Sequence, residues 1–323
     1  MESINNNEEL INYYNFNEDS SCILLGTKNG FRIILCEPYD DHYEYNLQSG
    51  IGMIEMYKSS NILALIGCEN DSKFPENKLI IWDDNKKEIV KELRLISKII
   101  MIKIIKDILF IVNDIKIYIL DFPTLSLYQS FEIYSFKKEL ISFHVNIDIK
   151  IAYLKNSESI CIEKIKKNKK QKTLLCNKEN SMPFIYIQFN TKGNILAAAL
   201  KEDIYLYNAL NGEFIRDISN IDINYPYINC IKFSNDDTYM AISTGEKNNG
   251  NIYIFDVKNE KEKSFFSYFI KEDDQYFSHF NLKYKDFLFC FDKNDDILVI
   301  TSKGNFLKIL FDKKKGICKL IKK

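Results

Sequence analysis

The stretch NKLIIWDD, residues 77–84, decides the fold: a polar turn leads into β-branched and aromatic residues that end at an acidic stop. Clear copies are DIKIYILDF (114–122), DIYLYNA (203–209) and GNIYIFDV (250–257). Weaker copies start at residues 30, 158 and 304. The copies recur about every 45 residues, which is the period of the four-stranded blades of a propeller. The sequence therefore predicts an all-β, WD40-like, seven-bladed β-propeller.

The seven predicted blades fill the chain without a linker rich in Pro, Gly or Ser, so residues 1–323 are expected to form one domain. We find no convincing amphipathic helix in the sequence. The predicted blade boundaries are about 10–48, 50–95, 97–134, 138–178, 181–220, 226–270 and 276–322.

Composition excludes several classes of function. The 44 basic and 45 acidic residues balance, so there is no bulk electrostatic case for nucleic acid. The N-terminus lacks a secretory signal, and no apolar run approaches the roughly 20 residues of a membrane span. A cytoplasmic monomer is expected. Its eight cysteines are expected to be free thiols. Five of them are predicted to be buried in strands: Cys22, Cys36, Cys68, Cys230 and Cys290.

The chain shows no catalytic or metal-binding pattern. His42, His144 and His279 fall in different predicted blades and lack metal-ligand spacing. GxSxG and HExxH are absent, and acidic pairs such as Asp236-Asp237 fit turns. The sequence predicts a non-catalytic interaction platform without metal or cofactor.

Several segments together resemble the PROPPIN family, the WIPI-like propellers that bind phosphoinositides and act in autophagy. The resemblance covers most of the chain in family order, and the GH and WD dipeptides of generic WD repeats are missing. The segments that carry it are residues 20–44, 49–68, 77–95, 107–132, 184–199, 227–244 and 286–312. The resemblance implies a scaffold in autophagy-related or endosomal membrane traffic, located in the cytoplasm and peripherally on preautophagosomal, endosomal or vacuolar membranes. Implied partners are autophagy proteins and phosphatidylinositol 3-phosphate or 3,5-bisphosphate.

The family's diagnostic lipid motif is Phe-Arg-Arg-Gly, whose two arginines each enter one headgroup pocket. Guanidinium groups suit this role because they pair bidentately with phosphate. In this chain the matching positions are Ile218, Ser219, Asn220 and Ile221, and no two arginines are adjacent anywhere. Tyr205 and Tyr253 replace an arginine and a histidine that are usual in the family. The sequence therefore predicts weak or absent phosphoinositide binding.

Two alternatives stay open, one to the weak lipid binding and one to the autophagy-related role. The pocket could be rebuilt from other polar side chains, for which the candidates are Arg216, Lys201, Lys232, Lys247, Ser243 and Thr244. The chain could instead be a lipid-independent interaction propeller with a partner unrelated to autophagy.

Three further segments are candidates for a contact with a membrane or a partner. Phe265, Phe266, Tyr268 and Phe269 match the family's membrane-inserting loop, although SFFSYFI fits the outer strand of the sixth blade better. The basic run 164–172, KIKKNKKQK, is either a solvated hairpin loop or a contact for membrane or nucleic acid. The family recruits a lipid-transfer partner through a Pro-Arg pair in the loop that here contains Phe74, Pro75 and Glu76. Pro75 is kept and Glu76 stands in place of the arginine, and these three residues are the candidate partner loop.

Overall fold

A computed structural model describes residues 11–69, 73–134, 137–166, 173–177, 182–201, 203–218, 228–246, 249–257 and 276–322. Within these residues the strands form seven four-stranded sheets, and each sheet takes four consecutive strands in chain order. The sheets are the blades of a seven-bladed β-propeller, so the predicted all-β fold is confirmed. The described helical structure is a single 3₁₀ turn, η1 (Lys138–Leu140).

The first three sheets contain strands of five to seven residues. The first sheet consists of β1 (Ile11–Phe16), β2 (Cys22–Thr27), β3 (Gly30–Leu35) and β4 (Asp40–Asn46). The second consists of β5 (Ile51–Met56), β6 (Ile62–Gly67), β7 (Lys78–Asp83) and β8 (Glu88–Arg94). The third consists of β9 (Ile99–Ile105), β10 (Ile108–Asn113), β11 (Ile117–Asp121) and β12 (Leu127–Phe131).

The remaining four sheets follow the same order. The fourth consists of β13 (Ile141–Val145), β14 (Ile149–Leu154), β15 (Ser159–Ile165) and β16 (Thr173–Asn177). The fifth consists of β17 (Tyr186–Phe189), β18 (Ile195–Ala199), β19 (Ile204–Asn208) and β20 (Phe214–Ile218). The sixth consists of β21 (Ile228–Phe233), β22 (Tyr239–Glu246), β23 (Asn249–Asp256) and β24 (Ser278–Leu282). The seventh consists of β25 (Phe287–Phe291), β26 (Ile297–Thr301), β27 (Phe306–Asp312) and β28 (Ile317–Lys322).

The repeated stretch seen in the sequence forms the third strand of a sheet. NKLIIWDD supplies β7, and the corresponding residues supply β11, β19 and β23. β7, β19 and β23 are apolar because both of their faces pack in clusters shared with neighbouring sheets. The acidic stop of β7 caps the turn that follows it: Asp83 Oδ1 accepts hydrogen bonds from the backbone N–H groups of Asn85 (3.1 Å) and Lys86 (3.3 Å).

The chain forms two compact units. The first comprises residues 1–132 and 300–306, and the second comprises residues 133–299 and 307–323. In the first unit, one buried cluster lies between the first and second sheets and another between the second and third sheets. In the second unit, three buried clusters join consecutive sheets from the fourth to the seventh. Within each unit, consecutive sheets thus bury apolar faces against one another, as the repeat predicted.

In the second unit, acidic side chains also link the turns of neighbouring sheets. Asp237 Oδ1 accepts hydrogen bonds from the backbone N–H (2.8 Å) and the hydroxyl (2.6 Å) of Thr191. Asp295 repeats this arrangement one sheet further on, where it accepts the backbone N–H of Asn235 at 2.7 Å. The acidic pairs of these turns are therefore structural, as predicted.

Two predictions need correction. The outer strand of the sixth sheet is β24, at residues 278–282, so the predicted boundary at residue 270 and the assignment of that strand to SFFSYFI are wrong. Two aromatic runs compete for one edge position, and alternation alone does not choose between them. All eight cysteines are free, as predicted, but Cys68 is only half-buried.

Candidate functional site

Arg216 lies on β20, the outer strand of the fifth sheet. Its Nη2 donates hydrogen bonds to the backbone carbonyls of Asp256 (2.7 Å) and Val257 (2.8 Å), at the end of β23. These carbonyls lie where β23 leaves the sixth sheet, so the guanidinium group satisfies backbone acceptors between two sheets. Arg216 is therefore engaged in joining the fifth and sixth sheets.

Ile218 is buried at the end of β20, where the family motif begins. It pairs with Ile204 and packs in the apolar cluster between the fifth and sixth sheets. If the predicted alignment of the motif holds, an apolar side chain stands at the position of its phenylalanine. The two arginine positions, Ser219 and Asn220, and also Ile221, lie outside the described residues.

Ser243 and Thr244 are neighbours on β22 and are fully buried. Among the described residues, neither hydroxyl has a hydrogen-bond partner. Buried polar groups normally are hydrogen-bonded, and one without a partner marks a candidate binding position. Thr244 pairs with Asn251, at the opposite end of β23 from Asp256. Five residues of extended strand separate these ends by about 17 Å, so the two hydroxyls lie far from the guanidinium of Arg216.

The two candidate lysines within the described residues also lie apart from Arg216. Lys201 is exposed, just after β18. Lys232 is half-buried on β21, the first strand of the sixth sheet, two strands away from β23. Two strand spacings amount to about 10 Å. The described candidates therefore lie on different strands of the fifth and sixth sheets. Lys247 lies outside the described residues.

An aromatic stack includes Tyr253, which the sequence predicts to replace a histidine of the family. Tyr253, on β23, pairs directly with His279 on β24, and their rings stack with centroids 4.7 Å apart and planes 14° from parallel. His279 Nε2 donates a hydrogen bond to Asn251 Oδ1 at 3.0 Å. The same oxygen also accepts a hydrogen bond from the side-chain amide of Asn281 at 2.8 Å. Partial burial lowers the pKa of His279 below its ordinary value. The imidazole at this position is therefore a neutral ring at neutral pH.

Sequence reasoning missed His279, because it assigned residues after 276 to the seventh blade. His279 could have been found from its pairing with Tyr253 across two neighbouring strands. That pairing can be read only once residues 278–282 are recognised as the outer strand, β24. The aromatic candidates Phe265, Phe266, Tyr268 and Phe269 lie outside the described residues.

The loop before β7 is anchored in the core of the first unit. Phe74 is 4% exposed and packs between the first and second sheets. The carbonyl of Glu76 accepts the backbone N–H of Ile99 at 2.9 Å, so the loop is tied to the third sheet. Of the three residues predicted to contact a partner, Phe74 is buried and only Pro75 and Glu76 are partly accessible.

A large apolar side chain that the sequence did not single out stands beside this loop. Asn77 donates a hydrogen bond to the carbonyl of Leu95 at 3.0 Å, and the next residue, Ile96, is 90% exposed. We refer to Pro75, Glu76 and Ile96 as the loop surface. A lone exposed isoleucine is common on protein surfaces, so Ile96 is a candidate for a protein contact only through its place beside this loop.

The described residues contain no group of His, Cys, Asp or Glu side chains placed to hold a metal ion. Within the same residues, no helix is long and apolar enough to cross a membrane. The binding candidates are therefore the polar and aromatic groups of the sixth sheet and the loop surface.

No family model matches the chain. Similar sequences do occur among curated proteins. Autophagy-related protein 18 of Debaryomyces hansenii is 34% identical over 131 residues, which cover 40% of this chain and 23% of that protein. Autophagy-related protein 18 of Candida glabrata is 28% identical over 186 residues, covering 58% of this chain and 36% of that protein. The matched part thus spans about a quarter to a third of these relatives.

Solved structures match over nearly the whole chain. Kluyveromyces lactis Hsv2 superposes with a TM-score of 0.74 and 18% identity, covering 97% of this chain and 98% of that one. The structure described as a complex of KlAtg21 with the coiled-coil of AgAtg16 gives 0.77 and 17% identity, over 97% and 98%. Saccharomyces cerevisiae Sqt1 gives 0.65 and 13%, over 97% and 84%. At these identities the structures show the propeller fold alone, while the sequence relatives confirm the predicted family resemblance.

Proposed function

The chain resembles the PROPPIN family in sequence and in fold, and from that resemblance we propose that it is a non-catalytic scaffold of autophagy-related or endosomal membrane traffic. In this role it binds protein partners of the autophagy machinery, and the family's phosphoinositide binding is weak or absent. The autophagy-related relatives support the first part. The second part rests on the sequence at the motif and on the state of Arg216.

The observation that carries the lipid part of the proposal is the engagement of Arg216. Ser219 and Asn220 replace the motif's arginines, and the guanidinium of Arg216 is held by two backbone carbonyls. Each lost charge-assisted phosphate contact costs roughly 1.5–3 kcal/mol, or about one to two decades of affinity. Before Nη2 of Arg216 could bind the phosphate of a headgroup, it would have to leave the carbonyls of Asp256 and Val257.

The lipid part is tested with a soluble headgroup, inositol 1,3-bisphosphate, titrated into the full chain by calorimetry. We expect no saturable binding in the range where an intact family protein, run in parallel, is saturated. Saturation of this chain in the same range would overturn the lipid part of the proposal. A pocket rebuilt from Ser243, Thr244 or Lys232 would then be located by substituting each residue.

The partner part of the proposal assigns the loop surface as a docking site for a helical partner. A structural neighbour is described as a complex with the coiled-coil of an Atg16 protein, so a coiled coil of that kind is the partner to test. The exposed Ile96 offers an apolar side chain of the kind that packs against the apolar seam of a helix pair. Pro75 and Glu76 lie at the edge of the same surface.

The test is binding of the Atg16-type coiled coil of the source organism, measured by calorimetry with the wild type and an Ile96→Asp variant. We expect binding that the substitution weakens at least tenfold. Ile147→Asp, which changes an equally exposed isoleucine on the fourth sheet, is the matched control and should bind normally. Failure of the wild type to bind would favour the rival function, a lipid-independent propeller for a partner unrelated to autophagy.

A further inference from the structure

The hairpin between β13 and β14 carries an exposed apolar tip. Ile147 lies at its turn and is 95% exposed, the highest exposure among the large apolar side chains of the described residues. A hairpin tip is convex, so this side chain does not fill a groove of its own protein. A single exposed isoleucine is unremarkable in isolation, and its meaning depends on what surrounds it.

Lysines surround this tip. β14 pairs with β15 so that Lys150 lies opposite Lys164, and the end of β15 therefore runs beside the hairpin. Lys164 Nζ lies 3.0 Å from Asp148 Oδ2, and Lys166 Nζ lies 4.0 Å from Asp148 Oδ1. One carboxylate thus serves two partly exposed ammonium groups. The sequence continues with four more lysines and no acidic residue up to Lys172, although residues 167–172 lie outside the described residues.

The base of the hairpin is fixed to the next sheet. Lys150 is buried and donates a hydrogen bond from Nζ to the carbonyl of Gly193 at 2.6 Å. Gly193 has a positive φ of 66°, and the ring of His144 lies against its Cα, where a Cβ would come within 2.1 Å. Burial, and then the neighbouring Lys164, lower the pKa of Lys150. The exposed tip therefore stands on a base that packing and a buried hydrogen bond hold in place.

An apolar tip beside partly exposed lysines has the chemistry of a membrane-interface contact. The apolar side chain enters the boundary between headgroups and acyl chains, and the long lysine side chains keep their ammonium groups at the level of anionic headgroups. An acidic protein surface could also pair with the lysines. However, stable protein interfaces bury on the order of 1,000 Å² or more, and they usually place apolar side chains in pockets of the partner. A small convex tip matches a deformable lipid surface better than a rigid pocket.

We propose that the end of the fourth sheet, comprising Ile147, Lys164 and Lys166, is a contact surface for anionic phospholipid bilayers. The contact needs negative surface charge and no particular headgroup, so it is independent of the family's phosphoinositide pockets. It also differs in position from the loop surface, which lies on the second and third sheets.

The proposal is tested by flotation of the full chain with phosphatidylcholine vesicles that contain phosphatidylserine but no phosphoinositide. We expect binding to these vesicles, none to pure phosphatidylcholine, and loss of binding as salt rises. Ile147→Ser should weaken binding about tenfold, because the apolar anchor is lost. Lys164→Gln/Lys166→Gln should weaken it about twenty-five-fold, since each of the two lysines near an anionic surface contributes a factor of about five.

Matched controls distinguish a site from general charge or general stickiness. Leu127→Ser removes an exposed apolar side chain from β12 in the third sheet, and Lys314→Gln/Lys315→Gln removes the same charge from the exposed turn before β28. Both should bind like the wild type, and circular dichroism should show all variants folded. The proposal would be overturned if the wild type failed to bind. It would also be overturned if the Ile147 variant and the Lys164/Lys166 variant bound as strongly as the wild type. Capture of an acidic protein by these residues without vesicle binding would also overturn it.

Discussion

Between the fifth and sixth sheets, the guanidinium group of Arg216 is turned onto two backbone carbonyls, whereas at the end of the fourth sheet Lys164 and Lys166 share a single carboxylate and stay partly exposed. The first region is where the family resemblance places lipid binding. His279 in this region is a neutral stacked ring, and the candidate cations lie on different strands. The second region has no assigned role in that resemblance. Positive charge serves structure in the first region and remains available to an outside partner in the second.

The difference teaches that the region where a family binds its ligand need not be the region where a given member exposes its positive side chains. In the first region the cation satisfies internal acceptors, and removing it should damage stability. In the second region two partly exposed lysines share the single carboxylate of Asp148. Removing these lysines should leave stability nearly unchanged. The following substitutions break or sharpen this contrast.

The largest effect is expected when the missing motif is restored. Ser219→Arg/Asn220→Arg should raise the affinity of each of the two pockets for inositol 1,3-bisphosphate by about one to two decades, because each arginine supplies one charge-assisted contact of roughly 1.5–3 kcal/mol to its own pocket. Calorimetry measures the gain. Ser219→Gln/Asn220→Gln, which adds side-chain length without charge, is the control. If the arginine variant gains nothing, the remaining pocket has been lost as well, and the contrast extends beyond the two arginines.

The next effect concerns the base of the fourth-sheet hairpin. Gly193→Ala should lower the free energy of unfolding by about 2–3 kcal/mol, since a left-handed conformation costs an alanine roughly 1–2 kcal/mol and the ring of His144 must also move. Denaturant titration measures this loss. Gly212→Ala changes another glycine with a positive φ, of 83°, and should show mainly the backbone cost. Equal losses for the two variants would argue against tight packing of His144 on Gly193.

Removal of the guanidinium group tests the structural role of Arg216. Arg216→Ala should reduce the free energy of unfolding by about 2 kcal/mol, because two carbonyls lose a charged donor. Binding to anionic vesicles should be unchanged. Arg94→Ala, on the exposed edge strand β8, is the matched control and should stay within about 0.5 kcal/mol of the wild type. A stable Arg216→Ala protein with weakened lipid binding would reverse the assignment.

The smallest effect is a pH dependence from His279. Its folded-state pKa is lowered, so the unfolded chain takes up a proton near pH 6.5 while the folded ring is still neutral. The stability present above that pH should therefore decline as the pH falls from about 6.5 to the folded-state pKa. His279→Phe keeps a stacking ring and should flatten this decline. Proton NMR of the wild type should place the His279 midpoint below 6.5, and a midpoint above it would contradict the neutral stack.

The regular part of the fold could be predicted from the sequence, because each third strand repeats the same physical pattern. A strand covered on both faces needs continuous apolar residues, and its acidic stop caps the following turn, as Asp83 does. The edge strand of the sixth sheet could not be predicted in this way. Edge strands are only partly buried, so SFFSYFI and the run containing Ser278–Leu282 fit the position equally well on alternation.

The candidate residues were predictable only as residue types. Alternation along β20 did not reveal that Arg216 reaches the carbonyls of the neighbouring sheet, because that contact depends on how two sheets meet. Phe74 was grouped with an exposed loop, yet it packs in the core between the first and second sheets. The exposure of Ile96 and Ile147 is likewise a tertiary property. A lone apolar residue in a turn has the same sequence signature whether it is covered or not.

The most direct test of the account compares flotation on two kinds of vesicle with matched surface charge. One kind carries phosphatidylinositol 3-phosphate, and the other carries enough phosphatidylserine to give the same charge. The account predicts equal binding to both, with loss of binding to both in the Lys164→Gln/Lys166→Gln variant. Binding that requires phosphatidylinositol 3-phosphate and survives in this variant would contradict it, and would place lipid recognition back between the fifth and sixth sheets.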